Sequence, residues 1–358
     1  MQLKHTQVQL VRKRRRAPFV FAIVASSKAK HEGEFTKMKK AVKGLIIAAG
    51  VIITLAVGGS IVLGGVIADK ILHQNDGKDT ADNSLKQLEL WGYDIDSFNN
   101  NYSGVEVSAP AADGNVVPGT LFEEGSDVCA VLVHGAGGDR VSIYPLAEQY
   151  LMRGYDVIAI DQRGCGANPD DRVTFGINES LDVAAMVEYA RTELGYGKVI
   201  VHGQSMGAQT AVVYAANVER GAADAADAVI CDSPVPGMEL MLRLVFGESV
   251  ENAYSPVTNY LIGTSKSFMK VFDRIDYDDA DTIALASEID IPVMIVLSER
   301  DEVCLPEYVQ QVYDNISVDE RAIYYADSEH IEGVIDDPEG YMTSVENFLS
   351  SVGVNNEA

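Results

Sequence analysis

The chain of 358 residues, 47% of them hydrophobic, is long enough to bury the core of one large domain and to carry further segments. Its formal charge of −25 is uneven, because residues 1–43 hold twelve Lys and Arg against two Glu, and the remainder therefore carries about −35. A body this acidic repels nucleic acid, so we expect no nucleic-acid partner despite the basic residues 12–16.

The first predicted element is an apolar run over residues 44–68 that contains no charged residue and is long enough to cross a bilayer as a helix. Four lysines precede it between positions 37 and 43, and three aspartates follow it between positions 69 and 79. The positive-inside rule then predicts a single-pass anchor in the cell membrane, with residues 1–43 in the cytoplasm and the body outside. Two alternatives stay open: a cleaved signal peptide that ends near Ala68, and a translation start at Met38.

Residues 69–102 are predicted to form a juxtamembrane linker. Leucines at 85, 88 and 90 together with Trp91 predict a short amphipathic helix within it, and three consecutive asparagines at 99–101 predict a loop. Two apolar stretches, Val105–Val107 and Val116–Phe122, then predict an antiparallel hairpin around a turn at 112–115.

Beyond the hairpin, strand-like apolar runs alternate with helical patterns, which predicts an α/β domain over residues 103–358 with a mostly parallel sheet and helices on both faces. The alternation stops between about 233 and 290. This insertion is too long for a plain loop, and its apolar residues predict a small helical cap whose inner face shapes the substrate pocket or packs on the core. The predicted strands are 131–133, 157–160, 199–201, 228–231, 293–297 and 322–325, and the predicted helices are 144–152, 181–194 and 208–218.

The residues from 203 to 207 carry the clearest chemical signal. Their sequence is Gly203-Gln204-Ser205-Met206-Gly207, and they join an apolar strand-like run to a helix-like stretch. A serine between two glycines at such a junction is typical of a nucleophile elbow, a turn so sharp that only small residues fit two positions before and after the serine. The strained backbone presents the hydroxyl above the sheet, and the N–H of Met206 is then expected to face a developing oxyanion.

Ser205 needs a base, because a free hydroxyl is hardly ionised at neutral pH. Among the six histidines, His330 is the one in a loop after a late predicted strand. Asp301 follows the preceding strand and is the expected acid, with Glu299 and Glu302 as rivals within two residues. The order Ser, Asp, His along the chain is the order of the catalytic triad in α/β-hydrolases.

A glycine-rich loop upstream completes the set of motifs, with the sequence His134-Gly135-Ala136-Gly137-Gly138. From about residue 103 to the C-terminus the chain resembles the α/β-hydrolase superfamily, and most closely the membrane-anchored bacterial hydrolases of the serine aminopeptidase-like or Bem46-like type. The resemblance implies that the N–H of Ala136 is the second oxyanion donor. It also implies a structural brace at Asp161 and Arg163, and no metal or organic cofactor. The residues expected to shape the loops around the site are His134, Gly135, Gly203 and Gly207.

The expected function is therefore a membrane-anchored serine hydrolase that cleaves a small carboxylic ester or amide through an acyl-enzyme. A serine peptidase or a thioesterase with the same triad remains an alternative. So does a non-catalytic binding protein that retains the fold, because a fold does not by itself establish a function. The four cysteines match no metal-binding spacing and are expected to be free, buried thiols.

Overall fold

The structure is a computed structural model that describes residues 17–245 and 255–356. The chain divides into two compact units, residues 1–62 and residues 63–358. The first unit is helical over its described residues, and its helix α1, Ala17–Leu72, ends in the second unit. In the part of the chain that the structure describes, one helical stretch, Lys30–Leu72, is long and apolar enough to cross a membrane. Its most apolar window has a mean hydropathy of 2.5. The predicted span 44–68 lies inside it, and a signal sequence would have the same properties.

The second unit is built on one sheet, in which eight strands of the described chain pair in the order β1-β2-β4-β3-β5-β6-β7-β8. Strand β2 is antiparallel to both of its neighbours, and every later pairing is parallel. The predicted leading hairpin and the predicted parallel sheet are therefore both confirmed. The strands are β1 Val105–Pro110, β2 Val116–Phe122, β3 Val128–Val133, β4 Asp156–Ile160, β5 Lys198–Gln204, β6 Ala228–Asp232, β7 Val293–Ser298 and β8 Arg321–Ala326.

Helices cover both faces of this sheet, so the central strands are buried on both sides. Successive residues of β3 alternate between two apolar clusters: Val131 belongs to one, and Ala130 and Leu132 belong to the other. Strands of this kind appear in the sequence as continuous apolar runs. The helices are α2 Thr80–Leu90, α3 Ile95–Asn101, α4 Tyr144–Leu151, α5 Glu179–Thr192, α6 Met206–Asn217, α7 Met238–Val245, α8 Pro256–Phe268, α9 Thr282–Leu285, α10 Pro306–Asn315, α11 Gly333–Asp336 and α12 Pro338–Ser351.

The loop predicted at residues 99–101 is wrong, because the three asparagines form the end of helix α3. The Asp94 side chain accepts a hydrogen bond from the Ser97 N–H and caps the helix start. Phe98 is completely buried against Phe122 and Tyr144. A cap and one buried aromatic ring thus outweigh the low helix propensity of asparagine.

The insertion between β6 and β7 is helical over its described residues, as predicted. It contains α7, α8 and a turn of π-helix at Met269–Asp273. The last turns of α1 belong to this unit and pack on the insertion, since Ala68 and Leu72 share an apolar cluster with Ile262 and Met269. The Leu72 carbonyl also accepts a hydrogen bond from the Val173 N–H at 2.7 Å.

Candidate active site

Ser205 lies at the sharp turn between β5 and α6. Its backbone has φ 56° and ψ −117°, a region that residues with a side chain rarely adopt. The two flanking glycines are required by space, because a Cβ on Gly203 would lie 2.1 Å from the Gly207 carbonyl oxygen and a Cβ on Gly207 would lie 2.0 Å from the Val133 carbonyl oxygen. The turn therefore holds the serine hydroxyl above the carboxyl ends of the parallel strands.

Three of the residues singled out in the sequence come together at this end of the sheet. The Oγ of Ser205 lies 2.8 Å from Nε2 of His330, and Nδ1 of His330 lies 2.6 Å from Oδ2 of Asp301. The contributing loops follow β5, β7 and β8, which end side by side with β6 in the sheet. One hydrogen-bonded chain therefore runs from hydroxyl to imidazole to carboxylate.

The Asp301 carboxylate is fixed by its own loop. Its Oδ1 accepts hydrogen bonds from the N–H groups of Val303 and Cys304, both at 2.7 Å, which leaves Oδ2 for the histidine. Asp301 is 3% exposed, whereas both rivals, Glu299 and Glu302, are exposed. The Cys304 sulfur lies within 4.8 Å of the His330 imidazole and the Asp301 carboxylate, a spacing that could also suit a metal ion. The imidazole and the carboxylate are already hydrogen-bonded to each other, so we assign this cluster to the same chain of contacts.

His134 braces the glycine-rich loop after β3. Its Nε2 accepts a hydrogen bond from the Gln162 N–H at 3.1 Å, so its Nδ1 carries the proton that is donated to the Gly135 carbonyl at 2.7 Å. Burial of the ring lowers its pKa, which favours this neutral form. The arrangement holds Gly135 beside the serine, where a Cβ on that glycine would lie 3.4 Å from the Ser205 Cβ.

Of the two expected oxyanion donors, Met206 directly follows the serine in the chain and Ala136 lies in the glycine-rich loop after β3. Met206 is the first residue of α6, so its N–H has no partner within the helix. Ala136 lines the same cavity as Ser205 and His330. The partial positive charge at the start of α6 adds to the field at this point.

A cavity of about 530 Å³ opens above Ser205. Residues of α2 and the turn after it form part of its wall, and they belong to the segment 69–102 that was predicted as a linker with a short amphipathic helix. The described cap residues, 233–245 and 255–290, do not line this cavity, so the expectation that they shape the pocket is wrong, and residues of α2 line it instead. Residues 236–243 and 277–283 contribute to a separate cavity of about 230 Å³. The lining residues are Asn83, Ser84, Gln87, Trp91, Gly135, Ala136, Gly137, Gly138, Ser142, Gln204, Ser205, Val303, His330, Ile331 and Glu332.

Helix α2 is bonded to both loops that frame the cavity. Asn83 donates to the Gly137 carbonyl at 3.0 Å, and the hydroxyl of Ser84 accepts from the Asp139 N–H at 2.8 Å. On the other side, the indole N–H of Trp91 donates to the Glu332 carboxylate at 2.9 Å. The sequence predicted this helix and two places for it, packed on the body or near the membrane surface. Its place beside the cavity was not predicted, because an amphipathic pattern shows which face is buried and not what covers it.

A chain of buried polar groups lies behind the serine. Oδ2 of Asp232, at the end of β6, accepts from Gln204 Nε2 at 3.1 Å and from the Tyr341 hydroxyl at 3.0 Å. The Tyr341 hydroxyl also lies 3.0 Å from Nε2 of His202. Burial raises the pKa of Asp232 to about 6 and lowers the pKa of His202 to about 3. His202 is therefore neutral at physiological pH, and its ring nitrogens bond to the hydroxyls of Tyr150 and Tyr341.

Asp161 and Arg163 form the internal brace that the resemblance implied. Asp161 accepts hydrogen bonds from the N–H groups of Arg140 and Ala167 at 2.9 and 2.8 Å. Arg163 is 1% exposed and pairs with Asp182 at 2.6 Å. Neither residue lines the cavity above the serine. The four cysteines are free and buried, as expected.

Comparison with known proteins agrees with this fold. The family described as alpha/beta hydrolase fold matches residues 131–252. YqkD of Bacillus subtilis, an uncharacterized protein, is 22% identical over 325 residues, which cover 88% of this chain and 100% of YqkD. YfhR of Escherichia coli O157:H7, also uncharacterized, is 23% identical over 257 residues, which cover 70% of this chain and 82% of YfhR.

Two solved structures show the same fold. The esterase Pf2001 of Pyrococcus furiosus has a TM-score of 0.55 and 22% identity, over 71% of this chain and 94% of the esterase. The alpha/beta hydrolase GrgF from Penicillium sp. sh18 has a TM-score of 0.54 and 17% identity, over 70% of this chain and 98% of GrgF. The sheet order, the turn at Ser205 and these similarities together show that the chain has the fold of the α/β-hydrolase superfamily.

Proposed function

We propose that this chain is a serine hydrolase that cleaves a carboxylic ester or amide through a Ser205–His330–Asp301 triad and is held at the membrane by residues 44–68. The observation that carries the proposal is the chain of contacts at 2.8 and 2.6 Å that joins the three side chains. Such a chain, ending at a serine on a strained turn, is the arrangement that makes a serine hydroxyl nucleophilic.

The proposed reaction has two halves, formation of an acyl-enzyme on Ser205 and its hydrolysis, and His330 acts as base and then as acid in each half. His330 Nε2 takes the Ser205 proton while Oγ bonds to the substrate carbonyl carbon, and the electron pair of the C=O bond moves to its oxygen. The N–H groups of Met206 and Ala136 stabilise that oxyanion. The tetrahedral intermediate expels the leaving group, which takes the proton from His330. Water, deprotonated by His330, then attacks the acyl-enzyme, and Ser205 regains its proton as the acid leaves.

Asp301 keeps His330 in the correct tautomer. Because Oδ1 is occupied by two backbone N–H groups, Oδ2 is the oxygen that accepts the Nδ1 proton. Nε2 is then unprotonated and free to accept the serine proton. The carboxylate also stabilises the imidazolium that forms during each half-reaction.

A second candidate substrate class is favoured by Glu332. Its carboxylate lines the cavity above Ser205, on the wall that Trp91 shares. A carboxylate in that position would attract an amine-bearing substrate, as in an aminopeptidase. Comparing an aminoacyl p-nitroanilide with p-nitrophenyl butyrate separates the two classes. If the amine matters, Glu332→Gln raises KM for the anilide about tenfold or more and leaves the neutral ester within about twofold.

The experiment for the central proposal is hydrolysis of p-nitrophenyl butyrate by the full chain. Ser205→Ala and His330→Ala should each lower kcat by several orders of magnitude, and by similar factors, because triad members act as a unit. Ser142→Ala, which removes another hydroxyl of the same cavity, is the matched control and should stay within about tenfold. Full activity of a folded Ser205→Ala protein would show that another residue is the nucleophile, and an inactive wild type would favour a binding role for the fold.

A further inference from the structure

The cap helix α8 has an apolar side that faces away from the protein core. One side of the helix packs inward through Thr258, Ile262 and Ser265, which are buried. Val257 is 65% exposed, and in the π-helical turn that follows, Val271 and Phe272 are 69% and 59% exposed. Leu261 lies between them and is half-buried, whereas Phe268 packs partly on the buried cluster of Ala68, Ile262 and Met269. The exposed Phe272 ring lies against the Phe268 ring, with 4.6 Å between their centroids. We call the outward apolar residues Val257, Leu261, Val271 and Phe272 the cap stripe.

The cap stripe is continuous with the end of the charge-free run. A Cβ on Gly64 would lie 2.4 Å from the backbone oxygen of Thr264, and a Cβ on Gly65 would lie 2.9 Å from the Phe268 ring. Both glycines lie within residues 44–68. The cap helix therefore packs closely against the carboxyl end of the segment predicted to cross the membrane.

The charges of the body indicate whether the cap stripe would bind a membrane through its headgroups or through its apolar layer. Lys266 and Lys270 are already paired with Asp278 and Asp276. The chain beyond residue 43 carries about −35, which opposes binding through anionic headgroups. The attraction must therefore come from burial of apolar side chains, as for an amphipathic helix in the interfacial layer.

We propose that the cap stripe is a membrane-binding surface that lies in the boundary layer between the headgroups and the acyl chains, in the membrane that residues 44–68 cross. This inference rests on the proposed anchor and does not depend on the hydrolase chemistry. Binding of the cap stripe would hold the cap at the membrane surface, and it would place the hydrolase domain near substrates in the bilayer.

The test uses the full chain in phosphatidylcholine vesicles, with a single introduced cysteine that carries an environment-sensitive fluorophore. The native cysteines are at most 3% exposed, so labelling is confined to the introduced site. Val271→Cys reports on the cap stripe, Ile53→Cys reports on the anchor, and Met152→Cys, 66% exposed on another surface, is the control. Lipids that carry a spin label in the upper acyl chain are then added as a quencher.

The proposal predicts a blue-shifted emission and at least about twofold quenching at positions 271 and 53, with water-like, unquenched emission at 152. Quenching at 53 without quenching at 271 overturns the membrane-bound cap and leaves the anchor intact. Absence of quenching at both positions removes the anchor as well. Blue-shifted emission at 271 that persists in detergent without lipid quenching overturns the proposal in favour of another cover, a second copy or residues 246–254. The far-UV circular dichroism spectrum and melting temperature of each labelled protein, compared with those of the wild type, verify folding.

Discussion

The buried carboxyl of Asp232 should lower the free energy of unfolding as the pH rises, and Asp232→Asn should remove this pH dependence. Burial raises the pKa of this group from 3.8 to about 6 in the folded protein. A folded-state pKa above the unfolded value means that the group's contribution to stability is fully present below pH 3.8 and is lost as the pH rises through about 6. The wild type therefore loses stability over this range through Asp232, whereas asparagine does not titrate.

The magnitude follows from the two pKa values. The full shift of about 2 pKa units corresponds to roughly 3 kcal/mol. Between pH 4.5 and 7.5 the linkage relation gives about 2 kcal/mol, because the unfolded carboxyl is already partly ionised at the lower pH. The fixed cost of placing an amide beside Gln204 and Tyr341 is the same at both values of pH and cancels when the two differences are compared.

The assay is urea unfolding of the full chain in detergent at pH 4.5 and 7.5, for the wild type, Asp232→Asn and the exposed control Asp319→Asn. The free energy of unfolding of Asp232→Asn relative to the wild type should increase by about 2 kcal/mol at the higher pH, whereas the relative value for Asp319→Asn should change by less than about 0.5 kcal/mol. A relative stability of Asp232→Asn that is the same at both values of pH would refute the reasoning.

Three further predictions concern the elbow, the acid and the topology. Gly207→Ala should prevent folding or destabilise the chain by more than about 4 kcal/mol, because its Cβ would meet the Val133 carbonyl at 2.0 Å. Gly263→Ala, which meets nothing within 4 Å, should be neutral or slightly stabilising in thermal unfolding; equal effects would contradict the packing argument. Asp301→Asn should lower kcat by about 10⁴, because two backbone donors hold the asparagine oxygen and turn its NH₂ toward the imidazole. Glu302→Gln should cost less than about tenfold, and the reverse order would move the acid one residue along the chain. Protease added to spheroplasts should digest the body and spare the N-terminal tail; a protected body would reverse the orientation, and a released form that begins near Asp69 would favour a signal peptide.

Much of the fold could be predicted because its signals are local. The central strands are buried on both faces, so each appears as an unbroken apolar run, and the runs at β3 and β7 were visible without any tertiary information. The elbow was equally visible, since its five residues are contiguous, and the clash of a larger residue at 203 is with Gly207 of the same turn; the clash at 207 is with Val133 of β3. The grouping of Ser205, His330 and Asp301 was predicted from their positions after apolar strands and from their order along the chain.

The features that could not be predicted depend on which elements become neighbours in space. Asn83 and Trp91 reach the cavity only because α2 packs over two loops that are distant in the chain, as the Trp91–Glu332 hydrogen bond shows. In the sequence, Asp232 resembles any residue that ends a strand, because its hydrogen bond to the Tyr341 hydroxyl joins residues that are distant in the chain. The helix at Ile95–Asn101 was missed because Phe98, a single long-range anchor, decides its conformation.

The most direct measurement is the mass and location of a fluorophosphonate adduct on the full chain. A triad at Ser205 predicts one adduct per molecule, mapped by peptide mass spectrometry to the peptide that contains Ser205. It also predicts that the adduct is absent from Ser205→Ala and that labelling is slowed by at least about 10³-fold in His330→Ala, while both variants keep the wild-type melting temperature. An adduct on another serine, or equal labelling of the Ser205→Ala protein, would contradict the proposed mechanism.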